Sequence, residues 1–92
     1  MEFEWDDAKA QSNYKKHGVR FSEAASVWLD SSALETPDPD HSDVEERWIR
    51  LGISRTARAL VVVFVEKLEG ERIRIISARK ATRSEIEQYN LR

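Results

Sequence analysis

The chain has 92 residues, 40% apolar and 35% charged, which supports one hydrophobic core and excludes two independent ones; residues 1–92 are read as a single domain. It has no cysteine, so disulfide scaffolds, zinc–thiolate sites and thiol nucleophiles are excluded, and a reducing cytoplasm is the expected location. The net charge of −2 conceals a division: residues 1–46 carry 4 Lys/Arg against 12 Asp/Glu, and residues 47–92 carry 11 against 5. Such asymmetry can mark a polyanion-binding face beside an acidic one.

Phe3-Glu4-Trp5 alternates and predicts a short edge strand. Asp6 or Asp7 can cap a following helix by accepting from a free backbone N–H. That helix extends to about His17, with Lys15, Lys16 and His17 in the last turn, where the dipole favours cations, and Gly18 as the stop. A second helix is expected from after Ser22 to about Leu29, with Ala24, Val27 and Trp28 as its core face. Residues 36–43 hold two prolines and three aspartates and disfavour a helix or central strand; Leu34 can belong to a short strand before them.

From Arg47 the period becomes two, with Ile49, Leu51 and Ile53 on one side and Arg50, Gly52 and Ser54 on the other. Ser54-Arg55-Thr56-Ala57 reads as a hairpin turn. Residues 59–65 are apolar on both faces, the mark of a covered central strand. This is also the longest apolar run, well short of the ~18 residues of a membrane span, and the acidic start of the chain lacks the basic opening of a signal peptide. Leu68-Glu69-Gly70-Glu71 turns again, with Gly70 as the expected positive-φ residue. Residues 72–79 form the next strand, with Ile73, Ile75, Ser77 and Arg79 assigned to one face. Thr82 and Glu85 form a T-x-x-E capping box opening a last helix with Ile86, Tyr89 and Asn90 on one side. The expected architecture is α+β, with N-terminal helices and a C-terminal helix packed on a twisted antiparallel meander.

A hairpin centred near Glu69 would set residue 58 opposite residue 79 or 80, making Arg58 and Arg79 neighbours at the sheet margin with Arg79 free. Adjacent guanidinium groups invite an anion between them, and arginine grips phosphate bidentately. His17 is one of two histidines and a candidate acid or base, histidine being the side chain that ordinarily titrates near neutrality. In Glu45-Glu46-Arg47-Trp48, a glutamate beside arginine can deprotonate a hydroxyl. Asp38-Pro39-Asp40-His41-Ser42-Asp43 has aspartate where a calcium loop needs glycine at its sixth position. There is no H-E-x-x-H, G-x-S-x-G, P-loop or G-x-G-x-x-G, so no metal or cofactor is expected.

Several blocks in order carry a resemblance: Phe3-Glu4-Trp5-Asp6; Asn13 with Lys16-His17-Gly18-Val19 and Phe21; Glu23-Ala24; His41-Ser42; Glu45-Glu46-Arg47-Trp48; Arg58 with Leu60-Val61-Val62-Val63-Phe64; Arg74-Ile75-Ile76-Ser77-Ala78-Arg79; and Thr82 with Glu85 and Tyr89. Through them the chain resembles the BrnT toxins of type II toxin–antitoxin systems, a branch of the RelE-like ribonuclease toxins. Two positions depart from the pattern: Ala57 stands where the family usually has glycine, and Ser31 where proline often follows the aspartate.

The resemblance implies a RelE-like fold and a metal-independent endoribonuclease that inhibits translation. It also implies a BrnA-type antitoxin that masks the toxin in a complex with two copies of each protein and carries the DNA-binding domain, so operator DNA is met only through the antitoxin. Attack of an RNA 2′-hydroxyl on its own phosphate needs a base, an acid and cationic donors. In this reading Arg58 and Arg79 hold the phosphorane oxygens. His17 or Glu46 is the base or acid, and Lys16, Arg47 and Tyr89 position the substrate. The alternative reading is a non-catalytic module that engages the antitoxin and tunes repression.

Overall fold

The computed structural model describes residues 1–40 and 45–91. Its elements in chain order are β1 (Glu2–Glu4), α1 (Asp7–His17), α2 (Phe21–Ala25), β2 (Leu34–Pro37), β3 (Arg47–Ile53), β4 (Ala59–Lys67), β5 (Arg72–Lys80) and α3 (Arg83–Leu91). The expected second helix is split, because α2 tightens into a 3-10 turn over Ser26–Leu29.

Local chemistry sets the helix ends as the sequence requires. The Asp6 carboxylate accepts from the Lys9 N–H at 3.0 Å. Gly18 ends α1 in the left-handed conformation, φ 69°, its N–H donating to the Tyr14 carbonyl. The capping box of α3 closes both ways, with Thr82 N–H on Glu85 Oε1 at 2.8 Å and Glu85 N–H on Thr82 Oγ1 at 3.2 Å.

The sheet order is β1-β5-β4-β3-β2. Strands β2 to β5 form the antiparallel meander in sequence order, while β1 joins the far edge parallel to β5, so the sheet is mixed. Central β4 is covered on both sides, as its apolar run demands. One face packs α1 and α2 over a core that includes Val19, Phe21, Ala24, Val27, Leu60, Val62, Phe64, Ile73, Ile75 and Ala78. Trp28 packs against this core edge-on to Phe64, ring centroids 4.8 Å apart. Gly52 lies beneath: a Cβ there would fall 2.8 Å from Val27 Cγ1 and 2.9 Å from Ala33 Cβ, so the strand and the turn after α2 meet only because the side chain is missing.

The opposite face carries Ile49, Leu51, Val61 and Val63, with α3 laid across its end. No residue of α3 is buried. The helix is held by polar ties instead, the Arg79–Glu85 fork and a bond from the Tyr89 hydroxyl to Asp30 Oδ2 at 2.7 Å.

One irregularity changes which side chains share a face. In the β4–β5 ladder Val63 pairs with Ser77 and Phe64 with Ile75, which leaves Ile76 as an extra residue. Ile73 and Ile75 therefore share the core face with Ala78, and Ser77 and Arg79 point to the other face. The sequence assignment of all four to one face assumed an unbroken period of two.

Candidate active site

Arg58 stands where three segments meet. The turn between β3 and β4 is closed by Ser54 N–H on the Arg58 carbonyl at 2.8 Å. Within it Ala57 takes φ 63°, a conformation that costs glycine least, at the position where the resembling family has glycine. The Arg58 side chain lies over α2, whose Glu23 is only 7% exposed. Oε2 of Glu23 accepts from Arg58 Nε at 2.9 Å, Ser54 Oγ at 2.7 Å and Thr56 Oγ1 at 2.6 Å, and Oε1 accepts from Arg58 Nη2. Nη2 also donates to the Gly18 carbonyl at 3.2 Å. The guanidinium is thus fixed against the turn of α1 that carries Lys16 and His17, and its side chain remains 31% exposed.

The hydrogen bonds from Arg58, aided by Thr56 and Ser54, outweigh burial and lower the Glu23 carboxyl to about 2. A carboxylate that weakly basic accepts protons poorly at neutral pH. Glu23 is therefore an anchor for Arg58 and not a general base. The same pairing raises Arg58, which stays charged.

Arg79 lies elsewhere. Its strand neighbour is Val61, and residue 58 lies beyond the last pair, Leu60–Lys80. The ladder is thus offset by two to three residues from the register expected of a hairpin centred on Glu69, and Arg58 and Arg79 project from opposite faces of the sheet. Nor is Arg79 free: both its terminal nitrogens grip Glu85, at 2.9 Å each. That fork, with the Thr82 N–H, lowers Glu85 to about 2.

The remaining candidates divide between the two ends of the sheet. Lys16 is exposed and His17 half-buried beside Arg58. Glu46 and Arg47 are at the opposite end, since Arg47 pairs with Val65 and Ile53 with Ala59; the length of β3 puts them about 20 Å away at ~3.3 Å per residue. Tyr89 spends its hydroxyl on Asp30. His41, Ser42 and Asp43 lie outside the described residues. Among the described residues no three of His, Cys, Asp and Glu gather as a metal site would require.

Sequence reading missed Glu23 and Lys80. Glu23 was legible in part, because it precedes buried Val27 by one helical turn and so occupies the core-facing side of its helix. Lys80 pairs with Leu60 and shares the face of Arg58, a consequence of the ladder register alone.

Folding converts the charge division along the sequence into one between the ends of the sheet. Lys15, Lys16, Arg20, Arg55, Arg58, Lys80 and Arg83 collect around the end formed by the α1 terminus, the β3–β4 turn and the β5–α3 junction. Of the carboxylates at that end, Glu23, Asp30 and Glu85 are each already hydrogen-bonded. Glu2, Asp38, Asp40, Glu45, Glu46, Glu69 and Glu71 collect at the other end, where Arg47, Lys67, Arg72 and Arg74 also lie.

Because Glu23 and Glu85 both titrate near 2 when folded and near 4.5 ordinarily, each contributes stability present above pH 4.5 and lost as pH falls towards 2. The Glu23 share is about 3 kcal/mol at most, and the Glu85 share is smaller because Arg79 is more exposed to solvent. Urea unfolding followed from neutral pH down to about 2 should show the loss in that window, and Glu85→Gln should lose less of it than the parent chain. Equal slopes would exclude the Glu85 contribution.

The chain matches the family model described as the ribonuclease toxin BrnT of type II toxin–antitoxin systems over residues 5–85. It is also similar to the crystal structure of the Brucella abortus ribonuclease toxin BrnT, with TM-score 0.65 and 27% identity over 90% of this chain and 99% of that one. No curated protein matches it. With the family model matching residues 5–85 and the fold agreeing over 90% of the chain, the chain belongs to the BrnT family of ribonuclease toxins.

Proposed function

We propose that the chain is a metal-independent endoribonuclease, acting in the cytoplasm, that inhibits translation by cutting RNA at the Arg58 end of the sheet. The observation that carries this reading is the braced Arg58 itself: a cation fixed by Glu23 and the Gly18 carbonyl, beside Lys16 and His17, at the basic end of the molecule. The 2′-hydroxyl attacks the adjacent phosphorus, the bond to the 5′-oxygen breaks, and a 2′,3′-cyclic phosphate and a 5′-hydroxyl result. Arg58 donates to the phosphorane oxygens, where negative charge develops and preorganised donors have most effect. We assign proton transfer there to His17, and Lys16 and Lys80 hold flanking phosphates. Arg79 serves by fixing α3 through Glu85, which leaves it outside the reacting centre.

A BrnA-type antitoxin would neutralise the toxin in a complex with two copies of each, and operator DNA would be reached through the antitoxin. The second reading, a non-catalytic antitoxin-binding module, is favoured by one observation: Glu23 already occupies two of the Arg58 nitrogens. Induction of the chain alone, with RNA 5′-end mapping, separates the two. Growth arrest with new 5′-hydroxyl ends, cleavage by purified protein in chelator, and rescue by co-expressed antitoxin are the expected results. A soluble folded protein that yields neither ends nor arrest would establish the module.

A further inference from the structure

Beside the Arg58 site lies a groove of about 840 Å³, within the range of small-molecule sites. One wall comes from α1, where Gln11, Tyr14, Lys15 and Gly18 follow the i, i+3, i+4, i+7 spacing that aligns side chains along a helix, with Ala8, Ala10 and Ser12 beside them. Trp5 and Arg20 contribute to the rest of the lining. Trp5 rests edge-on against buried Phe21, with ring centroids 6.0 Å apart, which makes that side firm.

Three features give the groove a chemical preference. Tyr14 is 45% exposed although the Arg20 guanidinium already stacks on its ring, 4.1 Å from the centroid. A tyrosine–arginine stack is a flat, cationic surface of the kind on which unstacked bases lie. The lining contains two cations, Lys15 and Arg20, and no carboxylate, although aspartate and glutamate together outnumber lysine and arginine in the chain. The groove also includes Gly18, the residue whose carbonyl Arg58 touches, so it adjoins the proposed anion site.

We propose that this groove is a nucleobase subsite, in which an unstacked base of single-stranded RNA lies on the Tyr14–Arg20 pair while a neighbouring phosphate reaches Arg58. The inference rests on the ribonuclease reading and adds to it the recognition of a single strand. Gln11 is placed to hydrogen-bond the edge of the base, and Arg20 supplies both a stacking plane and charge.

The test is binding of a short single-stranded oligonucleotide carrying 2′-O-methyl groups, which lacks the attacking hydroxyl and so reports binding without cleavage. The full chain should bind it, Tyr14→Ala should weaken binding about tenfold, and Tyr14→Phe should retain it; an unchanged melting temperature would show that the exposed site was altered without loss of fold. Equal affinity of Tyr14→Ala and the parent chain, or no binding by the parent, would overturn the subsite. Weakened affinity for the antitoxin with unchanged affinity for the oligonucleotide would also overturn it and make the groove a protein-docking face. If the parent cleaves RNA and Tyr14→Ala binds as the parent does, the subsite fails and the ribonuclease stands. If binding depends on Tyr14 and no RNA is cut, the ribonuclease fails and the subsite stands.

Discussion

Arg58→Ala should lower RNA cleavage by the purified chain by about 10³-fold, the usual consequence of removing a preorganised cationic donor from a developing oxyanion. The substitution also strips Glu23 of its arginine, leaving a nearly buried carboxylate with two hydroxyl donors, Ser54 and Thr56. Breaking one side of such a pair costs about 3–5 kcal/mol when both groups are fully buried, and about 2 kcal/mol here because Arg58 is partly exposed. Loss of activity could then be loss of fold, and three further variants separate the two. The double variant Glu23→Ala with Arg58→Ala removes both charges and should recover much of the stability with none of the cleavage. Arg58→Lys keeps a charge but lacks the fork that can face Glu23 and a phosphate together; it should lose about 10²-fold. Glu23→Gln keeps one oxygen for the hydroxyl contacts but breaks the ion pair with Arg58; the melting temperature should fall with the loss of the Glu23 share of stability, and at a temperature where the variant stays folded kcat should fall by about tenfold. Cleavage by Arg58→Ala at the parent rate would remove Arg58 from the mechanism.

Asn13→Ala should cost more stability than Arg58→Ala. Asn13 is 7% exposed and its side-chain amide makes three bonds: Nδ2 donates to the Val19 carbonyl at 3.0 Å and to the Ala78 carbonyl at 2.8 Å, and Oδ1 accepts from the Ala78 N–H at 3.1 Å. The reason lies in the sheet. The short strand β1 pairs with β5 over Arg72, Ile73 and Arg74, so among the described residues the edge of β5 beyond them has no strand beside it. At Ala78 the asparagine amide takes the place of a neighbouring peptide. Removing it leaves one N–H and two carbonyls on fully buried residues without these partners, which costs about 3 kcal/mol. For a domain of this size that lowers the melting temperature by roughly 12–24 °C. Asn13→Asp should be no better, since a carboxylate facing two carbonyls donates to neither. Calorimetry of the two variants checks the expectation, and a drop below about 4 °C would mean that water replaces the amide without strain. The same contact fixes the end of α1 on the sheet and so sets Gly18, His17 and Lys16 against Arg58, so these variants should also show reduced cleavage at temperatures where they remain folded.

Much of this molecule was legible in the sequence because its causes are local. Asp6, Gly18, Thr82 and Glu85 determine helix ends through hydrogen bonds spanning three or four residues. The apolar run of β4 required cover on both faces, and the turns after Ile53 and Lys67 follow from their own residues. Arg58 could be singled out as an arginine at the mouth of a central strand, Lys16 as a cation and His17 as an imidazole on a helix terminus. What tertiary structure decided is non-local. The extra residue Ile76 and the ladder offset turned Arg79 to the opposite face, because a one-residue irregularity reverses which side chains point to the core. Strand length kept Glu46 and Arg47 at the far end of the sheet from Arg58. Docking of α2 on the β3–β4 turn chose Glu23 as the partner of Arg58, whose hydrogen bonds hold that carboxylate ionised against the effect of burial. The sequence by itself determined which segments are helices and strands, and which cations stand at their ends. Which of those cations face one another depended on register and packing, where energies come from contacts distant in the chain and no local pattern records them.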